Sequence, residues 1–128
     1  MIPELNSEEF EFFLSKVKSY KNILGLVLFG SFARGTQRPN SDIDLCIIRK
    51  DKSSTDSLFL EKIGDRKVDL VYFDKLSTQM QWKILLEAEL IYSEDVISFQ
   101  RLKIKKLNEY YDQKAFYERN LERLYAQI

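Results

Sequence analysis

Between two short apolar runs, Gly25-Leu26-Val27-Leu28-Phe29 and Leu45-Cys46-Ile47-Ile48, the chain carries Gly30-Ser31-Phe32-Ala33-Arg34-Gly35, a polar loop with Pro39, and then Asp42-Ile43-Asp44. Apolar runs of this kind bounded by turn residues read as strands, so the stretch reads strand, Gly-Ser turn, short helix, loop, strand. The two strands should run antiparallel, which brings the turn beside the acids. Asp42 and Asp44, two apart at the mouth of the second strand, project from one face because strand side chains alternate. Two carboxylates on one face repel. Their complement is a hard divalent cation such as Mg²⁺, which takes carboxylate oxygens and fills its other positions with water and substrate phosphate. Gly30 lets the backbone approach a bulky anion, Ser31 adds a hydroxyl beside amides at the start of a helical turn, and Arg34 offers a fork of donors one turn on. Gly35 and Pro39 shape the return to the second strand. Taken singly, each residue also fits a polar loop between two core strands. Together, a Gly-Ser pair, ten intervening residues and Asp-x-Asp between two strands describe a triphosphate grip joined to a metal site.

A third acid joins this pair by topology. The polar run Arg49 to Asp56 reads as a solvated loop leading into a helix from Ser57 to about Ile63, closed by Gly64. Lys67-Val68-Asp69-Leu70-Val71-Tyr72-Phe73 then reads as a strand with an acid inside an otherwise apolar run, which needs an explanation because acids are depleted from strands and costly when buried unpaired. A strand–helix–strand crossover runs parallel, so Asp69 is expected at the same sheet end as Asp42 and Asp44. The plainer alternatives are an exposed edge-strand acid or a partner of Arg66 or Lys67.

Gly-Ser-Phe-Ala-Arg-Gly followed by Ser-Asp-Ile-Asp-Leu resembles the signature of the DNA polymerase β type nucleotidyltransferase superfamily, and the short chain resembles its minimal nucleotidyltransferase (MNT) branch. The strong motif covers Gly30 to Leu45; a weaker similarity in the order and length of elements extends over most of the chain. The resemblance implies an α/β (α+β) fold with a small mixed sheet flanked by helices. It implies that Asp69 is the third catalytic carboxylate, beside metal ligands Asp42 and Asp44, with Gly30, Ser31 and Arg34 on the nucleotide. It also implies two Mg²⁺ ions and ATP as substrate. MNT proteins of this kind are typically antitoxins that transfer AMP to a tyrosine of a partner HEPN ribonuclease toxin. Two other classes stay open: a small-molecule nucleotidyltransferase, although such enzymes usually carry an extra substrate domain, and a noncatalytic antitoxin that covers its toxin's active site.

The remaining chain supplies the frame. Residues 1–128 make one domain's worth of sequence. Asn6 with Glu9 three residues on is a helix start, followed by an apolar stripe of Phe10, Phe13, Leu14 and Val17 expected to cover the sheet. Asp74 to Glu89 contains a helix, Leu90-Ile91-Tyr92 a possible short strand, and Ser93-Glu94-Asp95 the cap of the last element. Residues 96–128 contain no glycine or proline and read as a long helix, or two broken near Asp112. Part of that segment is expected either to pack on the domain or to bind another protein.

Several function classes are excluded or disfavoured. Lys plus Arg equals Asp plus Glu at 20 each, so there is no overall basic field for tight nonspecific nucleic-acid binding. There is no histidine, which removes Ser-His-Asp and Cys-His catalysis and the usual zinc sites. The single cysteine, Cys46, sits in an apolar strand and is expected as a buried core residue. No run approaches a membrane span and the first residues lack the pattern of a signal peptide, so a cytoplasmic location is expected. An oligomer is possible.

Overall fold

The computed structural model describes residues 7–52, 62–63 and 66–127. Helix α1 (Ser7–Lys18) buries Phe10, Phe13 and Val17, the stripe expected of it; the proposed cap Asn6 lies outside the described residues. Strand β1 (Ile23–Phe29) leads into the four-residue helix α2 (Ser31–Arg34), and β2 (Ile43–Arg49) follows. Beyond the crossover come β3 (Lys62–Ile63), β4 (Arg66–Tyr72), a 3₁₀ turn (Phe73–Lys75), α3 (Thr78–Glu87), β5 (Glu89–Tyr92) and α4 (Val96–Ala126).

The strands form one mixed sheet in the order β3-β4-β2-β1-β5. Strand β1 is antiparallel to both β2 and β5, whereas β2 and β4 are parallel, as a crossover connection requires. Most of the helix expected over Ser57 to Ile63, with its Gly64 stop, lies outside the described residues. Its last two positions differ from expectation: Lys62 and Ile63 pair with Lys67 and Arg66 as a short antiparallel strand. Gly64, expected as a helix stop, is followed by Asp65 in the sequence, and Gly-Asp is equally a hairpin signal; the sheet edge at β4 offers the partner.

Because strand side chains alternate, the central strands feed two cores. On one face, Leu26, Leu28, Ile43, Leu45, Ile47 and Val68 pack with the stripe of α1. On the other, Val27, Phe29, Cys46 and Ile48 pack with Ile84 and Leu85 of α3 and Phe99 of α4. Burial pushes the Cys46 thiol up to about 12, with the Asp74 charge adding to the shift, so it is an inert core group. Asp95 caps α4 by accepting from the Ser98 amide at 3.0 Å.

Helix α4 runs unbroken through Asp112. Its 31 residues span roughly 46 Å at 1.5 Å per residue, about twice the length of a seven-residue strand. Only its first half can therefore lie on the sheet, and Phe99 is its one buried residue. No helix among the described residues is long and apolar enough to cross a membrane.

Candidate active site

The site is built by the ends of β1 and β2. In their antiparallel register Phe29 pairs with Asp44, so the turn that follows β1 lies against the start of β2. Gly30 has φ 74° and ψ −151°, a backbone conformation open to glycine, and a Cβ there would collide with the Asp44 carboxylate. Gly35 closes α2 in the left-handed conformation while Thr36 N–H donates to Ser31 O at 2.9 Å, the closure of a helix end that favours glycine. Both glycines of the motif are thus explained by backbone geometry.

The carboxylates share a face. Asp42 and Asp44 are two apart at the head of β2, and in the parallel pair with β4 Asp44 is the register partner of Asp69. Registered neighbours in a sheet point the same way, so Asp44 and Asp69 extend the face that carries Cys46 and Ile48 deeper in, and Asp42, just ahead of β2, is near enough for its charge to act on Asp44. Asp42 and Asp69 are exposed and Asp44 is half-buried. Burial, then the charges of Asp69 and Asp42, raise the Asp44 carboxyl above its usual range; Arg34 opposes the shift and Glu87 adds to it. Among the described residues, neither Asp42 nor Asp69 has a side-chain hydrogen bond or ion pair, and Arg66 donates instead to the carbonyls of Arg38 and Ser41 at 3.4 and 3.2 Å. Arg66 therefore braces the loop ahead of Asp42 and does not neutralise Asp69.

Carboxylate oxygens on one face, with Asp44 disfavoured as an anion by its neighbours, form a donor set that fits a hard divalent cation. Among the described residues the three acids are not gathered tightly enough about one point to make a preformed three-ligand centre.

Glu87, the last residue of α3, was not singled out in the sequence and belongs to this site. Its Oε1 accepts from the Gly30 amide at 3.2 Å, and both its oxygens accept from Arg34 Nη1 at 3.2 Å. The sheet delivers it there. Leu28 pairs with Glu89 in the antiparallel β1–β5 register, which brings the end of α3 alongside the turn that follows β1. Helix α3 is fixed at its other end by the Ser77 cap on the Met80 amide and by Gln81 Nε2 donating to Phe73 O at 2.8 Å. The sequence signal was an acid just ahead of a short strand, but only the register of that strand gives it meaning. Glu87 also lines a cleft of about 770 Å³ between α3 and α4, with Trp82, Lys83, Tyr110, Lys114 and Tyr117.

Comparison with known proteins places this chain among nucleotidyltransferases. The family model for the polymerase beta nucleotidyltransferase domain matches residues 13–97. Over 76 residues, 58% of the chain, the sequence is 27% identical to a Methanocaldococcus jannaschii protein named as a protein adenylyltransferase, and the match spans 59% of that relative. Among solved structures, a chain of a toxin–antitoxin complex with AMP-PNP superposes with TM-score 0.62 at 20% identity, over 91% of this chain and 97% of that one. A chain of the complex of tri-AMPylated Shewanella oneidensis HEPN toxin with MNT antitoxin superposes with TM-score 0.58 at 15% identity, covering 91% and 96%. At these identities the likeness to the solved structures is one of fold.

Proposed function

The chain belongs to the polymerase beta nucleotidyltransferase family, and from that premise we propose that it is a Mg²⁺-dependent antitoxin that transfers AMP from ATP to a tyrosine of a partner HEPN ribonuclease toxin. The observation that carries the reading is the register pairing of Asp44 with Asp69 beside the Gly30-Ser31 turn. The M. jannaschii relative named as a protein adenylyltransferase and the fold shared with the MNT antitoxin complex support the acceptor.

Asp42, Asp44 and Asp69 are the residues that would hold Mg²⁺, which supplies charge neutralisation at the triphosphate and the α-phosphorus. Gly30 and Ser31 bind the distal phosphates through the turn amides and the hydroxyl, and Arg34 adds its fork of donors. Asp69, exposed and unpaired among the described residues, takes the proton from the acceptor hydroxyl as its oxygen attacks the α-phosphorus. The new P–O bond forms as the bond to the β-phosphate breaks, and pyrophosphate carries away the electron pair. No histidine is needed for any of these roles.

The exposed apolar face of α4 favours a second reading, in which the protein masks its partner by binding alone. Incubation with ATP, Mg²⁺ and the partner separates the two. Transfer raises the partner's mass by one or more AMP units, and the modified partner stays inactive after this protein is removed. An unchanged mass with inhibition intact would exclude transfer.

A further inference from the structure

We infer that Glu87 is a built-in competitor for the phosphate cradle: its carboxylate holds the Gly30 amide and the Arg34 guanidinium until the distal phosphates of the nucleotide displace it. The inference rests on the reading of Gly30, Ser31 and Arg34 as that cradle.

The donors are the same. Two carboxylate oxygens at 3.2 Å from Arg34 Nη1, one of them also 3.2 Å from the Gly30 amide, occupy the directions a phosphoryl group would use. A phosphate and a carboxylate cannot share these donors, because both are acceptor-only anions that repel at such range. Nor is Glu87 a surface side chain that strayed into contact. The pairing of Leu28 with Glu89 brings the end of α3 beside the turn after β1, and the Glu87 side chain is 21% exposed against 47% for Arg34. Arg34 is therefore already paired before any nucleotide arrives.

The displaced carboxylate has a destination. Glu87 forms part of the α3–α4 cleft, where Lys83 stands one helical turn earlier and Lys114 stands on the opposing helix. A lysine four residues before a glutamate is the weaker order for such a pair, so the cradle with its guanidinium and amide is the better seat in the free protein. This arrangement selects by charge. A ligand with a single phosphate exchanges one anion for another and gains little, whereas a triphosphate brings several charges and engages the aspartate side of the site through Mg²⁺. When pyrophosphate leaves, Glu87 returns and closes the cradle behind it. Glu87 is thus a specificity-determining residue.

Calorimetric titration with inorganic tripolyphosphate in Mg²⁺ buffer tests this on the wild-type protein, Glu87→Gln and Glu87→Ala, with melting curves confirming that each is folded. Both variants should bind about tenfold tighter or more, the equivalent of removing roughly 1.4 kcal/mol of competition. The gain from Glu87→Gln should shrink when Arg34→Gln is already present, since Arg34 is the contested donor. Equal affinities overturn the inference. So does weaker binding by Glu87→Ala with recovery in Glu87→Gln, which would make Glu87 a support of the cradle. Tighter binding in both variants, with no AMP transfer by any form, would leave the competitor standing and remove the transferase reading. Transfer by the wild type with unchanged affinities would do the reverse. Failure of tripolyphosphate to bind any form would overturn both.

Discussion

Asp44 of β2 and Asp69 of β4 are register partners across a parallel strand pair, so the 24 residues of chain between them return the second carboxylate to the side of the first. Neither acid is there to hold the sheet together. Asp69 is exposed, and Asp44 is driven above its usual range by burial and by the charges around it. Like charges brought side by side in a fold are a cost to stability, so their arrangement points to a cation and a reaction.

That cost is measurable. Asp42→Asn with Asp44→Asn should lower nucleotidyl transfer by at least about 100-fold, because the charge proposed to bind the cation is gone. The same variant should melt at an equal or higher temperature than the wild type at pH 7. The sign follows from Asp44: its folded value lies above the ordinary 3.8, so ionisation destabilises the fold at neutral pH, and this cost disappears once acid has protonated the group in both states. The stability advantage of Asp44→Asn should therefore shrink as the pH falls through the raised value and vanish below about 3.8. Denaturation curves across that range check it, and a variant markedly less stable at pH 7 would assign these acids a structural role instead.

The opposite sign holds for Asp74. Its carboxylate accepts from Arg49 Nη2 at 2.5 Å and Nε at 2.9 Å, with side chains 13% and 8% exposed, and the Arg49 hydrogen bonds hold it below its usual range. This pair ties the end of β2 to the 3₁₀ turn that launches α3. A depressed folded value contributes stability above the ordinary 3.8 that is lost as the pH falls through the folded value. Asp74→Asn should thus lower the melting temperature at pH 7, with the gap to wild type closing in acid. A gap that stays constant through the acid range would show that the pair contributes by shape alone.

What the sequence disclosed depended on the range of the signal. The turn at Gly30 and the acids at 42 and 44 were legible because a period-two pattern and a glycine requirement are local. Asp69 was legible because crossover connections leave one orientation for the returning strand. Glu87 was not, since its meaning comes from the pairing of Leu28 with Glu89, a register set by tertiary packing. Arg34 stands beside the turn, and its partner in the structure is that same acid, which no local pattern announces. Lys62 and Ile63 were misjudged because two residues carry too little pattern to separate a helix end from a hairpin strand.

The last prediction concerns α4, whose first half meets the sheet through Phe99 while much of its apolar surface is exposed. Ile97, Ile104 and Tyr111 recur every seven residues, which sets them on one stripe of the helix, and all three are exposed. Phe116 and Tyr117 and, eight further on, Leu124 and Tyr125 continue the apolar exposure beyond the sheet. If the proposed partner docks here, Ile104→Glu with Tyr111→Glu should weaken the complex by at least about 30-fold, since buried apolar anchors carry most of an interface's energy. The melting temperature and tripolyphosphate affinity of the isolated protein should stay near wild type, because both side chains are exposed and the ring contact of Tyr111 is with its own helix neighbour Tyr110. Asp42→Asn with Asp44→Asn should do the reverse, binding the partner normally without modifying it. Size-exclusion chromatography and intact-mass measurement on the two variants read binding and transfer separately, and a complex that survives both α4 charges would move the docking surface elsewhere.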